Sequence, residues 1–96
     1  KAFFPTDLLA TSLANCMLTI MGITAQRKNI NIDSTRATVE KIMGQEPRRV
    51  QEIKIDFQFP TNYTDKEKKL LEQAALTCPV ANSLSKDLIQ TIKFSY

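Results

Sequence analysis

The two thiols of this 96-residue chain, Cys16 and Cys78, are the side chains best suited to chemistry. The chain has no histidine, which excludes a Ser-His-Asp triad, a Cys-His pair and an imidazole proton shuttle. Two cysteines without histidine also cannot supply the four ligands of a structural zinc ion, so we expect no metal. The two glycines, Gly22 and Gly44, exclude glycine-rich phosphate loops, and no cofactor is expected either.

The cysteines themselves allow two interpretations. Free cysteine is among the most buried residue types and often packs as a small hydrophobic side chain. Pro79, however, suits the first position of a short helix over residues 80–84, and the amide dipoles there would lower the pKa of the Cys78 thiol. Sixty-one residues separate the two cysteines, so neither a CxxC pair nor a metal knuckle is present. Spacing alone therefore does not decide whether they form a pair.

The composition is that of one small folded domain. Hydrophobic residues make up 43% of the chain, which is enough for a packed core. A chain this short buries only roughly two-thirds of its unfolded surface, so a partner chain would help its stability. A net charge of +3 without a basic cluster does not indicate nucleic-acid binding. Because no secretory signal is recognisable, we expect a cytoplasmic protein with reduced thiols.

The first long segment predicts a helix that begins at Pro5 and ends near Asn29. Asp7 complements the positive end of the helix dipole, and Arg27 complements the negative end. The uncharged run over residues 8–26 approaches the length of a membrane span, but six polar side chains interrupt it. Since apolar residues lie on nearly every face, we predict a core helix wrapped by other parts of the protein, and no membrane contact.

Two strands are expected next. Residues 30–43 predict a strand whose alternation changes phase between Asp33 and Arg36, which indicates a bulge or an edge. Residues 50–59 predict a second strand with apolar side chains on one face. Together the two strands would form an antiparallel hairpin with one buried face.

The rest of the chain predicts two helices and a final strand. Thr64 and Glu67 form a capping box that begins a helix running to about Thr77. A short helix over residues 80–84 and a strand over residues 88–96 follow. The order α-β-β-α-α-β is that of an α+β domain.

Two stretches of the sequence resemble the OsmC/Ohr family, the osmotically inducible and organic hydroperoxide resistance proteins. The segment from Pro5 to Cys16 resembles the family's central-helix signature, in which the cysteine lies eleven positions after the proline. The segment around Cys78, Pro79 and Val80 resembles the family's Cys-Pro-Val motif. Both motifs stand in the family's order with the expected elements between them, so the resemblance covers nearly the whole chain.

The resemblance implies a thiol-dependent peroxidase that reduces organic hydroperoxides in oxidative stress defence. Cys16 would be the peroxidatic cysteine, which attacks the peroxide and becomes a sulfenic acid. Cys78 would resolve that sulfenic acid into an intrachain disulfide, which an external dithiol reduces. The resemblance also implies an intertwined homodimer with the Cys16 helix near its twofold axis. The family's N-terminal strands lie ahead of the signature helix, so residues 1–96 would be one truncated domain.

Two departures from the family pattern affect the expected chemistry. The family's peroxidases hold the thiolate with an N-terminal arginine and hold that arginine with an acid directly after the proline. No arginine precedes Arg27, and Thr6 follows Pro5, which is typical of less characterised branches. Asp7 is then the candidate acid, although one helical step turns a side chain by about 100°.

Two alternatives to the peroxidase stay open. One is a non-catalytic OsmC-like module that binds an apolar small ligand at the dimer interface, and Thr6 in place of the family acid favours it. The other is a purely structural oligomerisation domain, which leaves the two cysteine motifs without a purpose.

Overall fold

A computed structural model describes residues 5–96, which form three helices and three strands. The elements, in chain order, are helix α1 (Pro5–Arg27), strands β1 (Arg36–Gly44) and β2 (Arg49–Gln58), helices α2 (Asp65–Leu76) and α3 (Pro79–Ser83), and strand β3 (Ile89–Ser95). The predicted α+β class and the predicted order of elements are confirmed.

Helix α1 has one buried face and one exposed face within the single chain. Its first turn contains Asp7 and its last turn Arg27, and Asn29 adopts a φ of 56° just beyond its end. Leu8 and Ile23 lie on the exposed face. The buried side chains recur at helical spacing and are Ala10, Leu13, Ala14, Met17, Met21 and Ala25.

By length and composition α1 is also able to cross a membrane, which is weak evidence because core helices of soluble proteins pass the same test. One third of its most apolar 18-residue window, 33%, is buried inside the chain. That buried side packs on α2 and on the sheet as a core helix does.

The prediction of a strand over residues 30–43 is wrong for residues 30–35, because the strand begins only at Arg36. Ile30 donates its main-chain N–H to Ala25 at 2.8 Å, and the Asn31 side chain accepts from the Asp33 N–H at 2.8 Å. These local bonds satisfy the backbone in a turn and compete with strand pairing. The phase change in the sequence therefore marks this turn, and the bulge lies between Ile42 and Met43.

The sheet has the order β1-β2-β3 within the described residues. Strands β1 and β2 form the predicted antiparallel hairpin, and β3 pairs with β2 in parallel. The central strand β2 supplies the middle of the core, since Ile53, Ile55 and Phe57 are at most 1% exposed. Helices α1 and α2 complete that core.

Helix α2 begins at the predicted capping box. The Thr64 side chain accepts from the Glu67 N–H at 3.2 Å, and the Glu67 carboxylate accepts from the Thr64 N–H at 3.0 Å. Its buried side chains, Leu71, Ala74 and Ala75, face the core and lead directly to the segment that contains Cys78.

Candidate functional site: a pair of thiols between two helices

The fold brings the two predicted thiols together. Cys16 lies in the middle of α1, and Cys78 lies in the short connection between α2 and α3. Both are free thiols, and Cys16 influences the ionisation of Cys78, so the two side chains lie close together. Cys78 is fully buried, with 0% exposure, whereas Cys16 is partly exposed. Two side chains that are distant in sequence thus form one dithiol site.

Local backbone geometry fixes the position of Cys78. The residue has an extended conformation, with φ of −68° and ψ of 148°, and is the N-cap of α3. Pro79 occupies the first turn of α3 as predicted, where its missing N–H removes no helical hydrogen bond. The Ala81 N–H donates to the Cys78 sulfur at 3.4 Å. The thiol therefore caps the helix that follows it.

Burial controls the ionisation of Cys78. It raises the pKa of the Cys78 thiol, because a thiolate in an apolar core loses its hydration. The N–H groups of Ala81 and Val80 lower the pKa, whereas the neighbouring Cys16 raises it. The net shift is upward, so the predicted result, a lowered pKa of the Cys78 thiol, is wrong. The helix does act in the predicted direction, but burial outweighs it.

Strand β3 holds α3 against the sheet. The Gln90 side-chain amide donates to the Ala81 carbonyl at 3.0 Å, and Gln90 pairs in register with Ile53 of β2. The Asn82 N–H donates to the Cys78 carbonyl at 3.1 Å. The same short helix thus contacts both the sulfur of Cys78 and the inner face of the sheet.

Asp7, the candidate acid, lies at the opposite end of α1 from Arg27 and away from the thiols. Cys16 lies nine residues after Asp7 on the helix, which corresponds to about 13 Å along the axis, so a single chain does not bring them together. The Asp7 carboxylate lies 2.9 Å from the Lys41 ammonium. That ammonium also donates to the Thr6 hydroxyl.

Sequence reasoning missed Lys41. Its position on β1 is in phase with Ala37, Val39 and Met43, which pack on the core. A lysine in an otherwise apolar alternation is the signal that would have identified it, because such a charge needs a partner when half-buried. Asp7 and Thr6 are its partners on α1.

Comparison with known proteins gives a family over nearly the whole chain. The family model described as OsmC-like protein matches residues 1–93. The crystal structure of a Psychrobacter arcticus protein, named for osmotic stress induction and a detoxification response, is 50% identical with a TM-score of 0.93. The match covers 98% of this chain and 69% of that one. A search of curated proteins found no match.

More distant structures share the fold. The organic hydroperoxide resistance protein OsmC of Legionella pneumophila is 18% identical, with a TM-score of 0.79, and the match covers 99% of this chain and 71% of that one. The organic hydroperoxide resistance protein OhrB of Bacillus subtilis is 16% identical, with a TM-score of 0.74, over 99% and 72% of the two chains. The predicted resemblance is confirmed, and the chain belongs to the family of OsmC-like proteins.

Proposed function

We propose that this protein is a thiol-dependent peroxidase that reduces organic hydroperoxides. The Cys16 thiolate attacks one peroxide oxygen, an S–O bond forms and the O–O bond breaks. The leaving alkoxide takes up the proton that the Cys16 thiol gave up and departs as the alcohol. The Cys78 thiolate then attacks the sulfur of the Cys16 sulfenic acid. A disulfide forms and the hydroxyl leaves as water. An external dithiol reduces the disulfide and is itself oxidised.

The proximity of Cys16 to Cys78, where α1 packs on α3, is the observation that carries this proposal. A peroxidatic thiol needs a second thiol within bonding reach to be recycled through a disulfide. Two inert cysteines would each need an apolar environment but would not need one another. The two relatives that are named organic hydroperoxide resistance proteins support the same substrate class.

The exposure of the helix around Cys16 gives a route for the substrate. Ser12 and Thr19 are exposed, and they lie one turn before and one turn after Cys16 on α1. Their face is continuous with the partly exposed side of Cys16. A hydroperoxide therefore reaches Cys16 from the exposed face of α1, whereas Cys78 lies beneath it in the core.

A homodimer is the second part of the proposal, in which the two ends of the exposed face of α1 contact a second copy and Cys16 stays open to substrate at the edge of that contact. Leu8 is 53% exposed and Ile23 is 44% exposed at the two ends of this face. Covering these side chains would stabilise the assembly through apolar burial. Light scattering at micromolar concentration tests the assembly, and Ile23→Lys is expected to shift it toward monomer.

The outer face of the sheet has the opposite character. In the strand register Glu40 lies opposite Lys54, and Asp56 lies opposite Lys93. Alternating charges of this kind are typical of a hydrated surface and stabilise the sheet through cross-strand pairs. This contrast favours α1 over the sheet as the dimer surface.

We also propose a cytoplasmic location, since the chemistry needs reduced thiols.

Consumption of cumene hydroperoxide in the presence of dithiothreitol tests the activity. We expect turnover by the wild-type protein and loss of at least about a hundredfold in Cys16→Ser, because the hydroxyl is a far weaker nucleophile than a thiolate. Thr19→Ser is the matched control on the same helix and should keep the activity. Equal rates in wild type and Cys16→Ser would refute the peroxidase.

The raised pKa of Cys78 favours a second candidate, a non-catalytic module that binds an apolar ligand. A thiol that is mostly protonated at neutral pH resolves a sulfenic acid slowly. In this case the protein would bind an apolar ligand but would not consume a peroxide. Calorimetry with cumyl alcohol, which has the same hydrocarbon part but no peroxide bond, separates binding from turnover.

A further inference from the structure

The two sulfurs of the site differ in access, and this difference bears on how the disulfide is reduced. Cys78 is fully buried, whereas Cys16 is partly exposed and flanked by the exposed residues Ser12 and Thr19. Thiol–disulfide exchange needs the attacking thiolate in line with the bond it breaks, so access decides which sulfur is attacked.

We propose that the external dithiol attacks the sulfur of Cys16 and that Cys78 is the leaving group. This inference rests on the proposed peroxidase function. It adds which sulfur the reductant attacks when the disulfide is reduced. The reductant thiolate forms a disulfide bond with Cys16, the Cys16–Cys78 bond breaks, and its electron pair goes to the Cys78 sulfur. The second thiol of the reductant then attacks the mixed disulfide. It releases the Cys16 thiolate and leaves the reductant as a cyclic disulfide. The proton of that second thiol goes to Cys78.

Burial raises the pKa of the Cys78 thiol and so slows its departure, but the capping geometry offsets part of this effect. In the dithiol form, which is the product of this reduction, the Cys78 sulfur accepts the Ala81 N–H at 3.4 Å. A developing thiolate at this position therefore gains a main-chain donor without rearrangement of α3. The Gln90 side chain fixes the Ala81 carbonyl and so keeps α3 on the sheet during the step.

The route of the peroxide supports attack at Cys16. The proposed reaction requires a hydroperoxide to reach Cys16, so the working protein needs an opening of molecular size at this sulfur. The same opening admits a small dithiol. To reach Cys78, by contrast, a reductant would have to displace core side chains or the α3 helix, because this sulfur has no exposed surface.

Mapping the mixed disulfide tests the proposal on the wild-type protein. Diamide oxidises the thiols without a hydroperoxide, so the test does not depend on peroxidase activity. A short pulse of 2-mercaptoethanol is followed by a quench at low pH and alkylation with N-ethylmaleimide. The attacked cysteine then carries mercaptoethanol and the released cysteine carries N-ethylmaleimide, and peptide mass spectrometry identifies both. We expect at least about tenfold more mercaptoethanol adduct on Cys16 than on Cys78. Predominant adduct on Cys78, equal adducts, or no disulfide would each overturn the proposal.

A pair of tryptophan variants provides a second measurement. Ser12 and Ser83 are both exposed, the first beside Cys16 on α1 and the second on α3 beyond Cys78. Ser12→Trp should slow reduction of the diamide-made disulfide by about tenfold by narrowing the opening, and Ser83→Trp should leave the rate unchanged. The reverse order would contradict attack at Cys16. If hydroperoxide consumption fails while the adduct maps to Cys16, the peroxidase proposal fails and the direction of exchange holds.

Discussion

The Lys41 ammonium lies 2.9 Å from the Asp7 carboxylate and joins β1 to the first turn of α1. The lysine stands on the core-facing side of the strand, and its side chain is 24% exposed. Thr6 accepts a second hydrogen bond from the same ammonium. Since Cys16 lies on the same rigid helix, this contact helps to set where α1 crosses the sheet and where its thiol lies relative to Cys78.

Lys41→Met should lower the free energy of unfolding by about 1 kcal/mol. Methionine keeps most of the apolar stem, so the loss reflects mainly the ion pair and the hydrogen bond to Thr6. Urea denaturation of Lys41→Met, Asp7→Asn and the double variant gives the coupling between the two residues, which we expect to be about 0.5 kcal/mol. Strictly additive losses would show that the pair contributes nothing.

Cys78→Ser should separate the oxidation step from recycling. The variant keeps Cys16, so it should consume about one equivalent of hydroperoxide per chain and then stop, with Cys16 as a sulfenic acid. Dimedone labelling followed by peptide mass spectrometry should find the adduct on Cys16. Continued turnover at the wild-type rate with dithiothreitol would show that Cys78 does not resolve the intermediate.

The raised pKa of Cys78 predicts a loss of stability at alkaline pH. The folded protein holds this proton more tightly than the unfolded chain, so stability is fully present below the ordinary thiol pKa of about 8.5 and falls as pH rises toward the folded-state value. The loss amounts to about 1.4 kcal/mol for each pKa unit between the two states. Urea denaturation between pH 7.5 and about 9.5 keeps below the titration of tyrosine.

Cys78→Ala provides the control for this pH dependence. The variant is less stable at every pH because it leaves a cavity, but its stability should fall less between pH 7.5 and about 9.5. The same slope in both proteins would mean that another group is responsible.

Tyr96→Phe should lower the free energy of unfolding by about 1 kcal/mol. The Tyr96 hydroxyl donates to the Glu72 carboxylate at 2.7 Å, and its ring stacks on Phe59 with centroids 4.7 Å apart. Phenylalanine keeps the ring contact, so only the hydroxyl is lost. Tyr96→Leu, which also removes the stacking, should cost about 1 kcal/mol more. Equal stability of wild type and Tyr96→Phe in thermal denaturation would contradict a role for the Glu72 bond.

The features that the sequence predicted correctly depend on residues close together along the chain. The capping box of Thr64 and Glu67 spans one helical turn. Pro79 favours the start of α3 because its ring fixes φ at a helical value. The alternation of Ile53, Ile55 and Phe57 likewise has one interpretation, a strand with a buried face. The local structures that these residues favour are kept in the folded protein because no distant contact competes with them.

The features that the sequence did not predict depend on hydrogen bonds, burial and pairing that the pattern of apolar residues does not show. Ile30 and Ile32 alternate as in a strand, but local hydrogen bonds turn the chain there. The direction of the Cys78 pKa shift follows from complete burial, which no neighbouring residue specifies. The pairing of Lys41 with Asp7 joins a strand to a helix and becomes visible only when both are packed.

The parallel pairing of β3 with β2 has a consequence for biosynthesis. A parallel partner requires a crossover, and here α2 and α3 form it, so β3 leaves the ribosome after both helices. Until it docks, Gln90 does not hold Ala81, and the helix capped by Cys78 lacks this tie to the sheet. The dithiol site is therefore complete only after β3 has docked. A nascent chain exposed to oxidant would present Cys16 and Cys78 as two unprotected thiols, open to pairing with thiols of other chains.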